Sequence, residues 1–334
     1  MTTVLDSHHA DVAIHGGSLE LVVTRVSLEA DDVISVTLAD AAGRKLPDWR
    51  PGAHLELVLP SGLLRQYSLC GDSRDTFSYT VAVLREAGGR GGSRELHDTG
   101  LVGKRLRVNG PRNHFELVPS RRHVFIAGGI GVTPILAMVR SLADDASWSL
   151  HYGGRTASSM AFVTELSAIG GPRVSLVPQD ERGLLDVDAI LADADESTAV
   201  YCCGPAPLLA AVTDAHARLA PDASLHIERF AASSPGSGTP AAAGDDKPVE
   251  VLLRRSGLTL NVAPDRSILD AIRDVVPGMP YSCTEGYCGS CEVAVLEGTP
   301  DHRDEILTPQ ERERGTTMFP CVSRALSEQL VLDI

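Results

Sequence analysis

The chain has 334 residues, 43% of them hydrophobic, and a formal net charge of -14, a length that exceeds one ordinary core and points to two or three domains. Its acidic balance excludes a nucleic-acid surface, which relies on clustered Lys and Arg. No apolar run reaches about 18 residues, and Met1 to Gly17 carry acids and histidines, so the expectation is a soluble cytoplasmic protein with no membrane segment and a flexible N-terminal tail over 1–17.

In chain order, residues 18–118 hold short alternating runs, Leu19 to Val26, Val33 to Leu38, His54 to Leu59 and Phe77 to Leu84, separated by Gly, Pro and Asp turns. This spacing predicts an antiparallel barrel or sandwich. Over 119–230 the rhythm changes. Val124 to Ala127, Ser149 to Tyr152, Val174 to Val177, Ala199 to Tyr201 and Leu225 to Ile227 read as buried strands, with helices over Thr133 to Leu142 and Pro205 to Leu219. That alternation predicts an α/β doubly wound parallel sheet. Residues 231–248, rich in Ser, Gly, Pro and Ala, cannot bury enough apolar surface to order themselves and read as a linker. A third domain over 249–334 opens with a hairpin, Val249 to Leu253 and Leu258 to Val262, then a short helix over Ser267 to Val275.

Four of the seven cysteines crowd into the last 52 residues, which is too lopsided for a disulfide framework and suits metal ligation by thiolates. Cys283, Cys288 and Cys291 are separated by four and then two residues, with Cys321 30 positions further on. That is the plant-type 2Fe-2S spacing, three thiolates from one loop and one distant thiolate. A structural zinc site is the competing reading, but zinc ribbons show two Cys-x-x-Cys hooks where this chain has one. Such a cluster sits at about -400 mV and donates one electron at a time. Cys70 and Cys202 read as small buried hydrophobes.

The segment Gly128-Gly129-Ile130-Gly131-Val132-Thr133-Pro134 follows a strand and opens a helix, with Thr133 placed as N-cap and Pro134 as the first helical residue. Gly128, Gly129 and Gly131 would bare backbone N–H groups to a phosphate. The segment departs from Gly-x-Gly-x-x-Gly, so an ordinary Rossmann dehydrogenase is not supported. Cys203-Gly204-Pro205 ends another parallel strand, and His151, Tyr152 and Arg155 end a third, at the carboxyl edge where open α/β sheets bind ligands. Arg155 is placed to contact a ribose or phosphate and reads equally well as a solvated surface charge.

Taken together, the sequence resembles the phthalate dioxygenase reductase family, within the wider ferredoxin reductase group, over nearly the whole chain after the tail. The motifs that carry the resemblance are Arg65-Gln66-Tyr67-Ser68-Leu69, Gly89-Arg90-Gly91-Gly92-Ser93, the Gly128 to Pro134 loop, Cys203-Gly204-Pro205, His226-Ile227-Glu228-Arg229-Phe230, and the cysteine loop with Asp301-His302-Arg303-Asp304. It implies an antiparallel β-barrel flavin domain, the α/β nicotinamide domain and an α+β (β-grasp) plant-type ferredoxin domain. It also implies Arg65 on the flavin phosphate, Tyr67 and Ser68 along the isoalloxazine, and a second phosphate contact from Gly91, Gly92 and Ser93. Phe230 would stack on the flavin, and Cys203 would lie beside the hydride path.

The activity implied is that of an NADH-dependent iron-sulfur flavoprotein using FMN, with NADH favoured over NADPH by family habit and by the lack of a basic cluster after Arg155. The flavin would convert two-electron into one-electron chemistry. The partner implied is a terminal oxygenase component, of the Rieske dioxygenase or O-demethylase type, or else a haem monooxygenase. Residues 249–334 hold 14 acidic and 8 basic residues, a net of -6, which fits a basic docking surface and equally fits ordinary solubility. Two other readings stand beside this one. They are a flavin reductase or NAD(P)H oxidase with an auxiliary cluster, and a non-enzymatic nucleotide-sensing redox protein.

Overall fold

The computed structural model describes residues 18–86, 91–230, 246–281, 284, 286, 289–304 and 306–334. The expected tail (1–17), most of the expected linker (231–245), Gly89, Arg90, Cys283 and Cys288 lie outside the described residues. The chain divides into two compact units, Met1–Phe230 and Ala231–Ile334.

The first half of the N-terminal unit is an antiparallel sheet of β1 (Ser18–Ala30), β2 (Val33–Ala39), β3 (Ala53–Val58), β4 (Leu64–Ser68), β5 (Ser78–Leu84) and β6 (Arg105–Asn113), in the order β4-β3-β6-β1-β2-β5. The expected alternation holds where it decides the fold: Leu19, Leu21 and Val23 of β1 and Val36 and Leu38 of β2 all face one core, because successive strand residues point to opposite faces. The two edge strands meet through the Leu69–Val81 bridge, and the Cys70 N–H donates to the Thr80 carbonyl at 2.9 Å. Closure makes this a barrel and removes its free edges. Helix α1 (Gly92–Asp98) adds Leu96 to the barrel core.

The second half is a parallel sheet of β7 (Arg122–Gly128), β8 (Ser147–Gly154), β9 (Val174–Pro178), β10 (Thr198–Cys203) and β11 (Ser224–Glu228), in the order β11-β10-β7-β8-β9. Its helices are α2 (Val132–Ser141), α3 (Val163–Gly170), α4 (Gln179–Arg182), α5 (Val187–Leu191) and α6 (Ala206–Leu219). Period-two alternation splits each central strand between two cores. Phe125, Ala127, Tyr201 and Cys203 pack with α2 and α3, whereas Val124, Ile126, Val200 and Cys202 pack with α5 and α6. Each fully buried large side chain of this kind contributes roughly 1.5–3 kcal/mol. The first of these cores also takes in Cys70, Ala82 and Phe115 of the barrel region. Tyr201 stitches the join, its hydroxyl accepting from the Val118 N–H at 2.7 Å and donating to the Glu116 carbonyl at 3.0 Å. Arg140 of α2 donates both to the Cys70 carbonyl and to Glu165.

The C-terminal unit contains β12 (Val249–Leu253), β13 (Leu258–Val262), α7 (Ile268–Val275), β14 (Val293–Glu297), β15 (Pro300–Asp301), α8 (Pro309–Arg314), β16 (Thr317–Met318), β17 (Arg324–Ala325) and β18 (Gln329–Leu332). Five of the strands form a mixed sheet in the order β13-β12-β18-β14-β16, with β12 parallel to β18, and β15 pairs with β17 separately. Ser267 caps α7 by accepting the Asp270 N–H at 3.0 Å, and Ile268, Leu269 and Ile272 bury one face of the helix in the same core as the sheet. This is the β-grasp arrangement.

Of the residues expected as linker, Asp246 is gripped by Arg303 and the Lys247 carbonyl accepts from Arg324. No helix among the described residues is long and apolar enough to cross a membrane.

Candidate functional site

Strand β4 carries the Arg65 to Ser68 motif, and α1 brings Gly91, Gly92 and Ser93 beside it. Gly91 precedes the helix in a left-handed conformation (φ 92°), one that glycine adopts without steric cost. A Cβ on Gly92 would stand 2.5 Å from Arg65 Nε and 2.7 Å from its Cγ, so the arginine stem lies directly over this glycine. The Arg65 Nη1 donates to the Leu64 carbonyl at 2.7 Å, and Ser93 Oγ accepts the Glu86 N–H at 3.1 Å. An arginine fork, a side-chain-free helix start and a serine hydroxyl thus converge, a donor set suited to a phosphate. Tyr67 is half-buried against the barrel core, and that burial pushes its phenol up, keeping it neutral.

The parallel sheet reverses its winding between β7 and β10, the position where open α/β sheets bind ligands. The glycines there serve two different ends. Cβ atoms on Gly131 and Gly128 would fall 2.2 Å from the Cys203 carbonyl oxygen and 2.7 Å from Pro205 Cδ, and one on Gly204 would fall 3.0 Å from the Gly128 backbone. These three let the two strand ends approach. Gly129, at φ 55°, has nothing within 4 Å of where a Cβ would stand, and it alone fits the expectation of glycine backbone bared to a ligand.

Thr133 is not the N-cap. A 3-10 turn over Gly129–Gly131 leads into α2, Gly131 occupies the cap, and the Thr133 hydroxyl donates back to the Ile130 carbonyl at 3.0 Å. Pro134 consequently sits third in the helix, still within the first turn, where the missing N–H costs nothing. Gly204 and Pro205 lead into α6, with Pro205 as its N-cap. Arg155 is exposed on the bend after β8, and its carbonyl accepts the Asp180 N–H at 3.2 Å.

Ser68, Cys203 and Glu228 meet where the barrel faces the sheet. Ser68 Oγ donates to Glu228 Oε2 at 3.4 Å, and Cys203 Sγ lies 3.9 Å from the same oxygen. Ser68 and Cys203 are buried, at 3% and 0% exposure. Desolvation pushes the Glu228 carboxyl up to about 8, against the opposing pull of the Ser68 and Cys203 hydrogen bonds. Burial first, and the Glu228 charge second, push the Cys203 thiol up, so at neutral pH the thiol stays protonated. Glu228 was not among the expected site residues. Its signal was present in the His226 to Phe230 motif, but its role depends on partners 160 and 25 positions away. Phe230 ends the unit two residues later at 37% exposure.

In the C-terminal unit, the Cys291 and Cys321 side chains are buried at 3% and 2% exposure within one apolar core. Gly286 and Gly289 of the cysteine loop hold φ of 79° and 75°, and a Cβ on Gly286 would stand 2.6 Å from Val322 Cγ2. Gly286 therefore lies against Val322, the residue next to the distant thiol, an approach that suits the expected cluster. Cys283 and Cys288 lie outside the described residues.

Residues 251–326 match the 2Fe-2S iron-sulfur cluster binding domain family, and residues 125–214 match the oxidoreductase NAD-binding domain family. The phenoxybenzoate dioxygenase subunit beta of Ectopseudomonas oleovorans is 42% identical, over 95% of this chain and 97% of its own. The solved structure of a phthalate dioxygenase reductase, described as modular for electron transfer from pyridine nucleotides to [2Fe-2S], is 36% identical with a TM-score of 0.70 over 96% of this chain and 98% of its own. An intact type IV self-sufficient cytochrome P450 monooxygenase matches with a TM-score of 0.84 at 41% identity over 95% of this chain, which spans 41% of that longer protein. With the two domain matches and end-to-end similarity to relatives of this architecture, the chain belongs to the phthalate dioxygenase reductase family.

Proposed function

We propose that the chain is the reductase component of a multicomponent oxygenase. It would take a hydride from NADH onto FMN held by the barrel and pass electrons singly, through a 2Fe-2S cluster on Cys283, Cys288, Cys291 and Cys321, to a terminal oxygenase. The observation that carries this reading is the Ser68–Glu228–Cys203 line, which joins the flavin motif to the strand ends of the nicotinamide half. FMN and the cluster together supply the conversion of one hydride into two single-electron transfers.

The chain's own part is placement. Arg65, with Gly91, Gly92 and Ser93, holds the flavin phosphate, and Tyr67 and Ser68 line the ring. Gly129 offers its backbone to the dinucleotide, Arg155 its charge to the ribose side, and Phe230 covers the flavin until nicotinamide takes its place. Gly128, Gly131 and Gly204 set the spacing of the floor beneath, and Thr133 and Pro205 shape the helix starts around it. Cys203, kept protonated chiefly by its burial, lies beneath the hydride path as a neutral thiol. NADH is favoured over NADPH because Asp180 and Glu181 lie in the first turn of α4, beside Arg155, where a 2′-phosphate would meet acidic side chains.

Stopped-flow mixing with each nicotinamide tests this assignment. NADH should bleach the flavin faster than NADPH, and Cys203→Ala should slow that step with flavin content intact. Equal rates with both nicotinamides would remove the specificity, and an unchanged rate in the variant would remove Cys203 from the hydride path.

The partner is proposed as an oxygenase of the Rieske dioxygenase or O-demethylase type, since the relatives named above include the phenoxybenzoate and phthalate dioxygenase systems. A haem monooxygenase is the second reading, favoured by the match to the self-sufficient P450. Reduction of a purified Rieske component, but not of a haem component, would decide for the first.

A further inference from the structure

The Asp301-His302-Arg303-Asp304 motif has no part in the chemistry described so far, yet it touches both halves of the thiolate site. Asp301 pairs with Arg324 in the β15–β17 ladder, three residues beyond Cys321. The Arg303 N–H donates to Ser323 Oγ at 3.2 Å, and Ser323 in turn donates to Asp304 Oδ1 at 3.5 Å. Ser323 is wholly buried and Asp304 is 2% exposed. The other oxygen of Asp304 accepts the N–H groups of Ile306 and Leu307 at 3.1 and 2.8 Å. On the opposite side, Asp304 Cα would lie 3.1 Å from a Cβ on Gly286, inside the cysteine loop. Asp304 therefore touches the loop that carries three thiols, and through Ser323 it holds the turn that carries the fourth.

We propose that Asp304 is a positioning residue for the 2Fe-2S centre. Its carboxylate fixes the Cys321 turn against the cysteine loop and contributes a buried negative charge to the cluster's surroundings. A carboxylate accepting several N–H and O–H donors is locked in orientation, and in a low-dielectric interior an extra negative charge opposes the addition of an electron. The proposal rests on the cluster assignment above.

Two variants of the full chain test it, read by iron and sulfide content, the EPR spectrum of the reduced cluster and its midpoint potential. Asp304→Asn keeps the shape and removes the charge, its oxygen still able to accept from Ile306 and Leu307 and its NH2 able to donate to Ser323 Oγ, so the cluster should be retained with a less negative potential. Ser323→Ala removes the tie to the fourth-ligand turn. It should keep full iron, show an altered EPR line shape and lose the cluster to chelator roughly fivefold faster, the scale of one hydrogen bond. Both variants should leave NADH-driven flavin bleaching unchanged.

Variants with full iron whose potential, EPR spectrum and chelator sensitivity match those of the parent would overturn the proposal and leave Asp304 only a cap for the turn at Ile306. If Asp304→Asn assembles no cluster, Ser323→Ala decides alone. A parent protein free of iron would instead overturn the cluster assignment itself.

Discussion

Ser68 Oγ lies 3.4 Å from Glu228 Oε2, and this hydrogen bond ties a flavin-motif strand of the barrel to the last strand of the nicotinamide sheet. Since Glu228 also reaches Cys203, one carboxyl touches two groups on opposite sides of the same junction.

That carboxyl makes stability depend on pH. Its value is pushed from 4.5 to about 8, so the native state holds the proton more tightly than the unfolded chain. The resulting stabilisation is complete below about 4.5 and is lost as pH rises through about 8. Glu228→Gln cannot titrate, so its melting temperature relative to the parent should rise steadily across that window. A difference that stays flat from mildly acidic to alkaline pH would contradict the raised value of this carboxyl.

Gly92→Ala should act as a mutation of Arg65. Its Cβ would displace the arginine stem 2.5 Å away, so both Gly92→Ala and Arg65→Ala should weaken flavin binding by about 2 kcal/mol, the scale of a charge-assisted hydrogen bond. Flavin retained after gel filtration and titration of apoprotein with FMN measure it. Full flavin in both variants would remove the phosphate from this cradle.

The glycines of the β7–α2 loop should separate by stability. Gly131→Ala drives a Cβ into the Cys203 carbonyl, an overpacking that costs about 1–3 kcal/mol, with no flexible side chain to yield. Gly129→Ala meets open space and costs only its left-handed backbone, about 1 kcal/mol, while raising the KM for NADH. Thermal melts and steady-state kinetics should rank the two in opposite order, Gly131→Ala worse in stability and Gly129→Ala worse in KM.

Arg303 grips Asp246 with both Nη atoms and bonds Asp301 through Nε at 2.8 Å, a planar fork that lysine cannot reproduce. Arg303→Lys should therefore destabilise the C-terminal unit by about 1–2 kcal/mol, and adding Asp246→Ala should cost little more, because the same interaction is already lost. Denaturant melts of the two single variants and the double variant give the coupling, and strict additivity would show that the pair is independent.

Much of this architecture is legible in the residues. Alternation in Leu19 to Val23 reports a strand with one buried face, and the runs around Phe125 and Val200 report strands buried on both, since burial alone sets those patterns. The parts that are not legible depend on distant partners. Strand β4 is half-exposed along Leu64 to Tyr67 and shows no alternation, so only its motif marks it. The Thr133 cap looks right locally, but the turn over Gly129–Gly131 moves the cap two residues earlier, to Gly131. Composition cannot reveal that Asp246 is held by the C-terminal unit, because the arginine that grips it is 57 positions away. Cys291 and Cys321 are an exception: their spacing is itself the chemistry, and both thiols are buried in one core.

The most direct test of electron flow from nicotinamide through flavin to the cluster is an anaerobic titration of the purified full chain with NADH, followed by absorbance and low-temperature EPR. The expected result is protein isolated with one flavin, two irons and two labile sulfides per chain, in which NADH bleaches the flavin and then produces the EPR signal of a reduced 2Fe-2S cluster, a signal absent in Cys288→Ser although its flavin still bleaches. Protein that carries flavin and iron but shows no cluster signal after NADH, or that contains neither iron nor sulfide, would contradict the account.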